Sequence, residues 1–462
     1  MRLTINDCLN ACSIELSAID VVNKLIYQPR KAYTTSTDER TYFEFGSNIS
    51  SRVKNIAKQV RGRTFQFKPS KKIKKKTKPT KVRDIYLSTW DDKIVETWLN
   101  NSLNTLLNSW LSKNAFAYRI NGFGLDSCQF EIAKVFTQNR VFAQRDIRNF
   151  FYSIDHEKLL NKIRELVDQN DYLYDLVKQR VTFLYEYEDD IKKAEIGIPF
   201  GSAIACTLSN IFLTELDHEM DDFDVRYFRY ADDILIIGRD DAEVRRAADH
   251  FDAGVEALNL KLKPSHSNDF SFDDCETFEK VRKFKYLGLE YTYDGLVRLS
   301  IEKQRKIMNL FKKEIKTKKA AMRKVKTVDE KLAIIVPAVN DVIKDRIRSA
   351  AIIDYYLKHI TDELQLKNMD RLLAERVISS VTGKPFRKGH FKIVPYKKLR
   401  ELGMPSLVHR SRLHQHGHLK VSFLNMHNEL LHKRHLDMLT RREERINHMR
   451  MARKIRKSQD QT

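Results

Sequence analysis

The chain has 462 residues, 42% of them hydrophobic, enough to bury sizeable cores and suited to two to four domains. No apolar run approaches the ~20 residues of a membrane helix, the start MRLTINDCLN lacks the regions of a signal peptide, and five scattered cysteines form neither a disulfide framework nor a zinc site. The net charge of +22 lies beyond residue 300, with 39 Lys and Arg against 17 Asp and Glu there and 45 of each before it. A cytoplasmic protein with no membrane partner is expected.

Residues 51–100 carry 15 basic against 4 acidic side chains, and residues 101–300 carry 25 against 35. An acidic middle between basic flanks suits a polyanion held by the flanks, with cations over the centre. In chain order, the run KKIKKKTKPTK (71–81) predicts a mobile basic loop. The segment KVRDIYL reads as a strand on which Lys81 and Arg83, two apart, face the same way. After FAYRINGFG (116–124), VFAQRDI predicts a strand ending at Asp146, and Ser153 or Asp155 caps the amphipathic stretch HEKLLNKIRELV. The segment GIPFGSAIACTLSNIFLTELD (197–217) predicts a Gly/Pro loop followed by a helix.

Next, VRYFRY alternates as a strand does and ILIIG is a short apolar run, which together predict a β-hairpin with Asp232 and Asp233 at its tip. Adjacent carboxylates raise each other's pKa and resist joint ionisation, a cost that bound divalent metal removes. A metal pair performing phosphoryl transfer needs a third carboxylate from another strand, and Asp146 is the candidate. Farther on, IEKQRKIMNLFKKEIKTKKAAMRKVKTVDEKLAIIV (301–336) places Ile307, Leu310, Phe311 and Ile315 at helical spacing. Pro337 interrupts or starts a helix, a second helical block runs to about Val381, residues 383–406 read as a connector, and the tail is helical again. Eight of the 14 histidines lie between His409 and His448, among them His414, His416 and His418, and read as polar or RNA-facing surface.

The ordered set of Asp146-Ile-x-x-Phe-Phe, Gly197-x-Pro199-x-Gly201 with Asn210 and Leu213, Tyr230-Ala-Asp-Asp and FKYLGL (284–289) resembles the palm of reverse transcriptases. The segments from Lys81 and Phe116 are similar to their fingers motifs, so the resemblance spans residues 60–300. It is nearest in style to prokaryotic members: group II intron, retron and phage-defence enzymes. The resemblance implies an α+β right-hand polymerase fold: N-terminal extension and fingers (1–140), palm (141–292, antiparallel sheet plus helices), helical thumb (293–381) and a basic helical, His-rich, RNA-binding extension (382–462).

It further implies that Asp146, Asp232 and Asp233, with the main-chain oxygen of Ile147, hold two Mg²⁺ ions, or Mn²⁺ in their place. Phe151 matches the aromatic under the incoming sugar that leaves no room for a 2′-hydroxyl. Lys81 and Arg83 match the residues that hold the triphosphate, and Gly197, Pro199, Phe200 and Gly201 line the template and nucleotide pocket. Tyr286, Leu287 and Gly288 match the grip on the primer end. Two departures stand out. Phe200 replaces the family's usual glutamine, and His266, with Lys261 and Lys263 just before it, lies nearest the lysine that protonates leaving pyrophosphate.

The expected activity is therefore RNA-directed DNA synthesis from dNTPs, on a dedicated structured non-coding RNA and in an antiphage system, with assembly of subunits around RNA left open. Other readings remain: a maturase that folds intron RNA, an RNA-dependent RNA polymerase, against which Phe151 argues, and untemplated or protein-primed DNA synthesis, for which Phe200 is a hint.

Overall fold

The computed structural model of the protein describes residues 2–27, 33–78, 81–120, 122–264, 266–267, 270–271, 275–344, 347–385 and 389–417. The architecture is α+β, in two compact units, Met1–Arg282 and Lys283–Thr462. Most of the His-rich tail, including His418, lies outside the described residues. Among the described residues no helix is long and apolar enough to cross a membrane.

The first unit contains two four-stranded sheets. One, in the order β2-β1-β4-β5, joins β1 (Ser70–Lys78), β2 (Lys81–Leu87), β4 (Leu184–Tyr187) and β5 (Asp190–Lys193). Residues 71–78 of the lysine run expected to be a mobile loop thus form a strand, paired antiparallel with β2 from Lys71↔Leu87 to Lys76↔Val82 and parallel with β4. Local charge argues for a loop, but cross-strand partners override it. Lys72 pairs with Asp84 at 2.9 Å and lies over the rings of Tyr185 and Tyr187 at 5.5 and 5.1 Å, so the aliphatic stem packs while the charge is compensated.

The second sheet, β8-β3-β7-β6, joins β3 (Val141–Asp146), β6 (Arg226–Tyr230), β7 (Asp233–Gly238) and β8 (Glu276–Thr277), all antiparallel. Every residue of β3 and the run Ile234–Gly238 are buried, as a continuous apolar segment of strand length predicts. The helices Ile204–Glu219 and Trp90–Leu107 lock together through Asn104 donating to Thr207 at 2.6 Å and Thr207 donating to Asn100 at 2.9 Å. The helix Asp241–Ala257 packs on β3 and β7, where Arg145 grips Asp252 at 2.8 and 3.0 Å.

The second unit opens with the antiparallel sheet β9 (Lys283–Tyr286), β10 (Leu289–Thr292) and β11 (Val297–Leu299). Helices follow, among them Ile301–Thr317, Val328–Lys344 and Glu363–Thr382, with Ile307, Phe311, Leu332, Ile335, Val339 and Leu373 in their core. Pro337 lies inside the helix Val328–Lys344 and does not break it. Its ring faces solvent while Val336, Ala338 and Val339 are buried, and that burial offsets the ~3 kcal/mol an interior proline costs.

Candidate active site

Three carboxylates converge where β3 ends and the β6–β7 hairpin turns. Asp146 closes β3 and pairs in register with Asp233, the first residue of β7. Asp232 sits in the turn, whose sharpness rests on Ala231 in the left-handed region at φ 60°. The Ile147 N–H donates to the Asp232 carbonyl at 3.1 Å. In extended backbone a residue's N–H and C=O point the same way, so the Ile147 oxygen also faces this hairpin.

Asp233 is pushed up to about 7, first by burial, then by the charges of Asp232 and Asp146, while Lys263 pulls the other way. The nearness of the Asp146 carboxyl adds to that upward push, because carboxylates this close resist joint ionisation. Lys263 forms an ion pair with Asp146, and its backbone N–H donates to the Asp146 carbonyl at 2.8 Å. Residues 261–263 thus run antiparallel beside 146–148, with Arg148 N–H on Lys261 O at 2.7 Å. In the sequence His266 lies nearest the family's lysine, with Lys261 and Lys263 just before it; Lys263 is the residue that reaches a carboxylate, and the His266 side chain lies outside the described residues.

Among the described residues no three His, Cys, Asp or Glu side chains close to ligand spacing around one point. The donor set nevertheless suits a hard divalent cation, because Asp146, Asp232 and Asp233 supply oxygen only and crowd one another's charge. Asp146, Asp232, Asp233 and the Ile147 carbonyl would hold such an ion.

Behind the hairpin lies a second, fully compensated group. The Arg229 guanidinium donates to Asp217 at 2.7 and 2.5 Å, to Asn210 at 3.1 Å and to the Ala231 carbonyl at 3.3 Å, while the Tyr227 hydroxyl donates to Asp217 at 2.8 Å. Arg229 and Asp217 are 0% exposed. Asn210 in turn donates to the Ala117 carbonyl at 2.8 Å, and backbone bonds from Arg229 to Asn114 O and from Phe116 to Arg229 O, both 2.9 Å, tie the FAYR segment to the edge of β6. An arginine two residues before Ala-Asp-Asp, with an aspartate on the preceding helix, was the available signal for this network.

An aromatic cluster flanks the carboxylates. Phe151, 9% exposed, meets Phe150, Phe200 and Tyr118 edge-on at centroid distances of 5.7, 5.5 and 6.1 Å. The Arg83 guanidinium lies over Phe200 at 5.4 Å, so the residue replacing glutamine acts as a platform for Arg83. Lys81 begins β2, but its side chain lies outside the described residues.

The loop Gly197–Gly201 is wedged between these parts. A Cβ on Gly197 (φ 82°) would stand 2.9 Å from Tyr152 backbone, and one on Gly201 (φ 115°) would stand 2.9 Å from the Ile85 side chain and 3.2 Å from the Tyr86 carbonyl. Neither position accepts a side chain without displacement. The Ile198 N–H donates to Phe151 O at 2.8 Å, and the Tyr86 N–H donates to Phe200 O at 3.0 Å, so Pro199 and Phe200 are pinned from both sides. In the second unit, Tyr286 and Leu289 pair across a two-residue turn in which Leu287 and Gly288 have φ of 49° and 84°, the signature of a tight type I′ hairpin.

Comparison with known proteins agrees with this geometry. Residues 73–291 match the family described as reverse transcriptase (RNA-dependent DNA polymerase). The chain is similar to the COX1/OXI3 intron 1 protein of Saccharomyces cerevisiae, 24% identical over 163 residues, 34% of this chain and 19% of that protein. The COX1/OXI3 intron 2 protein of the same organism is 25% identical over 176 residues, 37% of this chain and 20% of that protein. An uncharacterized 91 kDa protein in a cob intron of Schizosaccharomyces pombe is 23% identical over 168 residues, 36% of this chain and 20% of that protein. The chain thus spans about a fifth of the length of the curated relatives it matches. Over residues 73–291 the chain is thus similar to reverse transcriptases (RNA-dependent DNA polymerases).

Proposed function

We propose that the chain copies RNA into DNA, joining a primer 3′-hydroxyl to the α-phosphorus of a dNTP at Asp146, Asp232 and Asp233. The observation that carries this reading is the surplus of negative charge at the β3/β7 ends, three carboxylates with Lys263 ion-paired to one of them. Divalent metal bound there lowers the pKa of the attacking hydroxyl and neutralises the triphosphate. Arg83, its guanidinium plane supported by Phe200, binds the phosphates, since a stacked guanidinium keeps its donors aimed in one plane. Phe151, held by three rings, fills the space of a ribose 2′-hydroxyl and favours dNTPs. The Leu287–Gly288 turn is assigned to the primer end.

A structured RNA is proposed as template. The description of the relatives as intron proteins favours a second reading, in which the chain also binds and folds the RNA that it copies. Antiphage defence rests on the sequence resemblance alone. The test is to purify the protein from cells, with and without Asp232→Asn/Asp233→Asn, and sequence the nucleic acid that copurifies. A discrete RNA with complementary DNA only in the unsubstituted protein is expected. RNA without aspartate-dependent DNA would sink the polymerase reading and favour the RNA-folding one.

A further inference from the structure

Among the described residues Tyr118 is the only aromatic one with a positive φ, at 63°. A bulky side chain on such a backbone crowds its own carbonyl, and it stays there only where the surroundings enforce it. Both flanks of Tyr118 do so. On one side the Phe116 N–H donates to Arg229 O at 2.9 Å, and the Ala117 carbonyl accepts from Asn210 at 2.8 Å. On the other, the Arg119 guanidinium turns back to donate to the carbonyls of Asn108, Ser112 and Ala115 at 2.6, 2.5 and 3.0 Å, with its plane 3.5 Å from the Phe123 ring centre. Tyr118 is therefore clamped in a conformation that glycine would adopt without strain.

The clamp presents the ring at the mouth of the site. Tyr118 meets Phe151 edge-on at 6.1 Å, and it is 39% exposed where Phe151 is 9% exposed. Of this pair, Tyr118 supplies most of the surface that a ligand can touch. Its hydroxyl end is the more enclosed: burial pushes the hydroxyl up, the charges of Cys206, Asp232 and Tyr230 add to that, and Arg83 opposes them. The ring tip is thus within electrostatic reach of the carboxylate turn and of Arg83. A nucleotide whose phosphates are held between those charges has its sugar as the next group outward.

We infer that Tyr118 is a specificity-determining residue, its ring seated on Phe151 by the strained backbone and forming the surface that turns away a ribose 2′-hydroxyl. A hydroxyl pressed against a ring loses its water and gains no partner in exchange. The assignment rests on the polymerase reading and deepens it, because Phe151 by itself leaves little surface with which to sort sugars.

The test is primer extension by the full chain on a defined RNA template, with kcat/KM measured for a dNTP and for the matching rNTP. Tyr118→Ala should lower the dNTP/rNTP ratio about tenfold, the scale on which an apolar wall discriminates. Tyr118→Phe, which keeps the ring, should restore the ratio. Tyr118→Gly should lose discrimination as Tyr118→Ala does and yet melt at a higher temperature than it, because glycine relieves the positive φ. A purely structural role would lower both substrates in proportion and leave the ratio unmoved, and that result in folded Tyr118→Ala and Tyr118→Gly chains would overturn the assignment alone. Tyr118→Gly melting no higher than Tyr118→Ala would overturn the strained seating. An unsubstituted chain that incorporates neither nucleotide would overturn the polymerase reading, and this assignment with it.

Discussion

Asp217 and the pair Asp232/Asp233 lie on opposite sides of one hairpin strand pair and are neutralised in opposite ways. Asp217 takes two bonds from Arg229 and one from Tyr227, all buried, so its charge is spent on holding the hairpin. At the front, Asp233 is driven up to about 7 by burial and by its two carboxylate neighbours, and Lys263 is ion-paired with Asp146. A cluster built only for stability would resemble the first. The second keeps a strained surplus of like charge at the mouth of a fold whose back is fully matched, and such surplus marks a place for a cationic ligand.

The largest effect should come from the front. Asp146→Asn, or Asp232→Asn/Asp233→Asn, should lower dNTP incorporation about a thousandfold or more, since the charge stabilisation lost is several kcal/mol, while the melting temperature does not fall. At the back the outcome inverts. Arg229→Ala should destabilise the chain by about 3–5 kcal/mol in urea titration, because it strands Asp217 without its partner. A loss below about 1 kcal/mol would show that the two clusters are less distinct than argued.

The third effect is smaller and depends on pH. The folded chain keeps the Asp233 proton up to about 7, whereas an ordinary aspartate loses it near 3.8. The folded state therefore holds the extra proton over that window, and its stability falls as pH rises from about 4 through about 7. In EDTA, Asp233→Asn should be more stabilising at pH 8 than at pH 6, by about 1 kcal/mol, read as a larger gain in melting temperature. An equal gain at both pH values would remove the electrostatic part of the comparison. Smallest, Phe200→Gln removes the platform under Arg83 and should raise the KM for dNTP about fivefold, the value of a modest cation–π contact, with little change in kcat.

The elements carrying the carboxylates were legible because each has a local signal. The apolar run of β7, the alternation of β6 and the strand ending at Asp146 all follow from side-chain period, and Asp155 caps its helix by accepting from the Lys158 N–H at 3.0 Å. What stayed hidden depends on distant partners. The lysine run became a strand because β2 and the Tyr185 and Tyr187 rings cover it, and Pro337 stays helical because its neighbours are buried. Arg229 finds Asp217, and Lys263 finds Asp146 across 117 positions, pairings for which no local period exists.

The most direct measurement of the central claim is incorporation of labelled dNTPs by the purified chain on a defined RNA template with an annealed primer and Mg²⁺, beside Asp232→Asn/Asp233→Asn and with rNTPs as competitors. DNA complementary to the template, resistant to rNTP competition and absent from the double variant, is expected. DNA synthesis that survives the loss of both aspartates, or a template-bound and folded chain that incorporates nothing, would contradict it.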